Sequence, residues 1–205
     1  MPSRTDIANY ALGLIAEETI TSLEEDNESA RKCSLHLNQT IREVSAMAPW
    51  KCVAKRQSLA RLGSDPSFGW GYQYALPSDY IKVISFNDVE LDYVLRFMFT
   101  VEGINLLTNE TTAKLLYVHD ITSVDSEDAY GVLDPLMVKS IYTMLAAKLA
   151  WHLQQNRTQQ MQLMQTFETE LRRAKSQNAR GAFMPRGSLG SSSDWVYSRY
   201  TGTGA

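Results

Sequence analysis

The chain has 205 residues, of which 44% are hydrophobic and 21% charged, with a formal net charge of -3 and a pI near 5.6. That composition supports a folded core and excludes wholesale disorder. Its acidic balance argues against a domain that grips nucleic acid by phosphate neutralisation, which needs clustered Lys and Arg. The expectation is one domain carrying a small subdomain and a tail. Met1–Asp6 leads straight into an amphipathic pattern, so no signal peptide is expected, and no stretch is apolar enough for a membrane span. Cys33 falls on a helical pattern and Cys52 on a β-type run, so both are expected as free thiols in a reducing cytoplasm.

Ile7, Ala11, Leu14 and Ile15 recur at helical spacing and predict a first helix from Asp6 to about Thr19, capped by Thr5 or Asp6 and weakened by Gly13. A second helix is expected after Glu24-Glu25-Asp26-Asn27, burying Ala30, Cys33, Leu37, Ile41, Val44 and Ala48, and stopped by Pro49. The acidic run lacks the alternating ligands and glycine of a calcium loop and reads as a solvated helix start. From Trp50 to His119 the period changes to two. Strands are predicted at 51–54, 73–76, 81–86, 103–107 and 114–118, joined by turn-formers such as Pro77-Ser78-Asp79 and Asn87-Asp88. Trp70, Tyr72 and Tyr74 alternate, so they share one face of an extended strand, which reads as a packed sheet face before a stacking platform.

A third helix opens at Asp134, with Pro135 at its first position, and runs to about Gln155 with Val138, Ile141, Leu145, Leu149 and Leu153 inward. It reads as the central core helix. A fourth, from Thr158 to about Asn178, has a narrow stripe of Met161, Met164, Phe167, Leu171 and Ala174. One face packs, and the first four are candidates for packing between subunits. The predicted fold is α+β and mainly helical. Residues 1–49 and 120–180 form an antiparallel helix bundle, residues 50–119 a small inserted antiparallel β-sheet, and residues 181–205 a flexible Gly/Ser/aromatic tail.

Several blocks then stand in a telling order: Ala48-Pro49-Trp50, Trp70-Gly71-Tyr72-Gln73-Tyr74-Ala75-Leu76-Pro77-Ser78-Asp79, Val101-Glu102-Gly103 before Leu106-Leu107-Thr108, Leu115-Leu116-Tyr117-Val118, Asp134-Pro135-Leu136 and Leu145-Ala146-Ala147-Lys148-Leu149-Ala150. In that order and spacing, from about Ile7 to Ala179, the chain resembles the phage head-to-tail adaptor family that includes the gatekeeper proteins of short-tailed phages. The resemblance implies a dodecameric ring at the head–tail junction of a virion, assembled in the host cytoplasm. The ring would dock beneath the portal protein and present a platform to the tail nozzle or tail tube protein. It implies no cofactor, no metal and no catalytic residue. A mildly acidic channel suits DNA that slides through without being held.

Phe183, Trp195, Tyr197 and Tyr200 are too aromatic for a plain spacer. With Arg186 and Arg199 they are candidate anchors to the portal or a neighbouring subunit. The competing classes are a wall or capsule hydrolase using Asp88, Glu90 and Asp92, and a nucleic-acid module using Arg172, Arg173, Lys175 and Arg180. Asp120, Asp125, Glu127 and Asp128 read as a loop leading into a helix. His36, His119 and His152 lie far apart in sequence, outside any zinc-protease or nucleophile-elbow context, and read as structural.

Overall fold

A computed structural model describes residues 2–89, 97–123 and 128–180. Among the described residues the fold is α+β, with four long helices and two three-stranded antiparallel sheets. Helix α1 (Arg4–Leu14) is capped by Ser3, not Thr5 or Asp6. The Asp6 amide donates to Ser3 Oγ at 3.1 Å, and the Asp6 carboxylate accepts from the Ser3 amide at 2.8 Å. The helix stops well before Thr19 because the chain turns left-handed at Ala16, φ 57°. There the Glu17 amide reaches the Leu12 carbonyl and the Ala16 amide the Gly13 carbonyl, closing the helix end. Helix α2 (Glu28–Ala46) starts on Asn27, whose side-chain oxygen accepts from the Ala30 amide at 2.6 Å, and all six residues expected inside are buried.

The sheet region departs from expectation in three places. Residues 51–53 form a turn, with the Ala54 amide donating to the Lys51 carbonyl, so β1 is Ala54–Ser58. An unforeseen strand β4 (Phe99–Glu102) pairs with β5 (Asn105–Thr108) across Gly103 and Ile104, which the sequence had placed inside a strand. Gly103 has φ +60°, the conformation a two-residue hairpin loop asks of a leading glycine. The expected single sheet is also two. Strands β1, β6 (Lys114–His119) and β3 (Tyr80–Phe86) form the first in the order β1-β6-β3, and β2 (Tyr72–Ala75), β5 and β4 form the second in the order β2-β5-β4.

A 3-10 turn (Ile121–Ser123) and a short helix α3 (Asp128–Gly131) lead to helix α4 (Pro135–Gln154). Asp134 caps it through the Leu136 amide at 2.8 Å, as the sequence indicated. Helix α4 packs against α1, α2 and α5 (Arg157–Arg180) and buries Ile141, Leu145 and Leu149 completely. Central strand β6 joins two cores. Val118 faces the helices, while Leu115 and Tyr117, on the alternate side, pack with Tyr74 and Leu106 of the second sheet. Trp50 is buried in the helical core, with its indole N–H donating to the Val44 carbonyl at 2.8 Å.

Candidate functional site

Two polar knots brace the first sheet, one among its own strands and one to helix α2. The Tyr117 hydroxyl donates to Asp79 at 2.9 Å, and Lys55 pairs with the same carboxylate at 2.7 Å. Burial pushes the Asp79 carboxyl up, but the hydrogen bonds from Lys55 and Tyr117 outweigh it and leave it below its ordinary value. Burial, and the hydrogen bond to Asp79, hold the Tyr117 phenol well above its ordinary range. One group stays ionised and the other neutral, which makes a structural tie and not an acid–base pair near neutrality. Asp120, largely buried, accepts from Arg42 at 2.7 Å and from the Thr122 hydroxyl at 2.6 Å, locking α2 to the chain after β6.

Among the described residues no three His, Cys, Asp or Glu side chains gather as a metal site would need. Cys33 and Cys52 are free thiols, and burial pushes Cys33 up to about 11, which keeps it unreactive. His119 Nδ1 lies 2.8 Å from the Val53 carbonyl oxygen, a structural role. His36 and His152 are brought face to face, with ring centroids 4.5 Å apart. Nothing in the sequence signals that pairing, because the partners sit on different helices and each looks like a lone helical histidine.

Of the carboxylates offered for hydrolysis, only Asp88 falls among the described residues. Asp88 borders a shallow cleft of about 270 Å³ beside Arg56 and Lys114, while Glu90 and Asp92 lie outside the described residues, as do Asp125 and Glu127. In the basic run Arg173 is spent on Glu170 at 3.3 Å.

What the surface does offer is apolar contact. On the second sheet and its loops Phe68, Phe97 and Ile104 are each more than 80% exposed or at 80%, and Phe68 and Trp70 border a hollow of about 470 Å³. On the helices Tyr10, Leu35, Trp151 and Met161 are exposed. The α5 stripe splits: Phe167, Leu171 and Ala174 are buried in the chain's own core, where they bind α5 to α4, and only Met161 and Met164 remain available to another subunit. Their helical spacing could not separate the two uses. Phe183, Arg186, Trp195, Tyr197, Arg199 and Tyr200 lie outside the described residues. No family model matches the chain, and no curated protein matches it.

Proposed function

We propose that the chain is a structural head-to-tail adaptor of a bacteriophage, forming a ring, dodecameric by resemblance, between the portal protein and the tail nozzle or tail tube. The carrying observation is that exposed apolar side chains occur both in the sheet region and on the helices. Phe68 and Ile104 belong to the sheet region, and Tyr10, Trp151, Met161 and Met164 to the helices. Exposed large apolar side chains are what protein partners cover, and an adaptor needs such side chains in two regions.

On this reading the helices form an antiparallel bundle that faces the portal and neighbouring subunits. The bonds between α4 and its neighbours support that arrangement: Lys148 meets Glu43 at 2.7 Å while His152, one turn on, meets His36 further back in α2, and Lys139 meets Glu170 of α5 at 3.2 Å. The sheet region carries the tail-facing surface, the tail after Arg180 anchors to the portal or a neighbour, and DNA passes through without specific binding. No cofactor or chemical step is involved.

Opposing surface changes test the division. Phe68→Asp with Ile104→Asp is expected to abolish nozzle attachment and leave portal docking intact, whereas Trp151→Asp with Met161→Asp is expected to do the reverse, both read by co-sedimentation. Loss of both activities in each variant, or of neither, would sink the two-surface reading.

A further inference from the structure

His36 on α2 and His152 in the last turn of α4 are stacked, with planes only 19° from parallel. Nε2 of His36 is closed off from solvent and has no hydrogen-bond partner. Faces stacked in this way keep the ring lone pairs from converging on one ion, so the pair is not built as a metal clamp. Stacking suits two neutral rings, whereas two imidazolium ions at this spacing repel, and the buried Nε2 would have to place a proton where no acceptor waits.

The surrounding charges act in the same direction. From α4, His152 and Lys148 oppose a proton on His36, and from α2 itself Lys32 does so; Glu43 favours one, but its carboxylate is engaged by Lys148 at 2.7 Å. On the α1 side Arg4 is directed to Asn38 and to the ring of Tyr130. Burial foremost, and then these cations, lower His36 from its ordinary 6.5.

We propose that the stacked pair is an acid-sensitive latch across the α2–α4 seam, closed while the His36 ring is neutral and sprung when it is protonated, which frees the first half of α2 from α4. The proposal is independent of the adaptor reading. Its sign follows from linkage: below 6.5 the unfolded or opened chain binds a proton that the closed state refuses, so the latch holds fully above 6.5 and weakens as the pH falls below it.

The test compares the thermal midpoint of the full chain with that of His36→Gln and His152→Gln between about pH 7.5 and about pH 5. The native chain is expected to lose about 2–4 °C more than either variant over that range, carboxylate effects being common to all three. Proton NMR of the native chain gives a second readout. The His36 ring is expected to titrate below 6.5 and to move up towards it in His152→Gln. Should His36→Gln fail to fold, the exposed His152→Gln carries the comparison alone. Equal losses in native chain and variant, or a native His36 midpoint at or above 6.5, overturn the proposal.

Discussion

Ala16 shows how a single residue sets where an element ends. It adopts φ 57° at the end of α1, a conformation that costs a side chain roughly 1–2 kcal/mol and glycine almost nothing. It is also exposed, so its methyl group contributes no packing. Ala16→Gly is therefore expected to stabilise the chain by about 0.5–1 kcal/mol after the entropy glycine adds to the unfolded state, measured by urea unfolding. Asp79 carries the opposite kind of prediction. Its folded value is lowered below the ordinary 3.8, so its bonds to Lys55 and Tyr117 stabilise the fold above that pH and lose their effect as the pH falls through the lowered value. Asp79→Asn should be less stable than the native chain at neutral pH, and the gap should close on acidification below 3.8. A gap of constant size down to the acid limb would show that the carboxylate's charge is not what matters.

At the scale of elements, α4 bears the core. Leu145 is wholly buried between α4 and its neighbours, and Leu145→Ala is expected to cost about 2–5 kcal/mol, read as a lower denaturant midpoint with an unchanged slope. This helix was legible in the sequence because Asp134-Pro135 marks its start and the apolar spacing persists through Leu149. Helix α2 was legible for the same reason, its inward residues repeating until Pro49. The sheets were not, because strand pairing is decided by partners far along the chain. Cys52 and Val53 have strand-like side chains, yet Val53 is drawn into the helical core by a turn, and β1 starts at Ala54 on residues as polar as Lys55 and Arg56. Strand β4 escaped notice because Val101-Glu102-Gly103 looks like a turn alone, and becomes a hairpin arm only when β5 pairs beside it. For the candidate surfaces the limit was similar. The α5 stripe was visible, but whether Phe167 or Met161 meets its own chain or another depends on where α4 lies.

Across the whole molecule, three layers stand in sequence: helices, the first sheet, and the second sheet, with β6 between the two cores. Such an order lets the outermost layer vary its loops without disturbing the helices. A short Gly/Ser insertion at Ser64-Asp65, next to the hollow bordered by Phe68 and Trp70, is accordingly expected to leave portal docking intact and to impair nozzle attachment. Reversal of those two effects would invert the polarity proposed for the subunit. The adaptor reading itself is tested most directly by electron microscopy of the purified chain mixed with the portal protein proposed as its partner. The account predicts a closed ring of this chain seated on the tail-facing end of the portal, with its helices inward to the portal and its sheets outward. Portal particles left bare at saturating concentrations of the folded chain would contradict it.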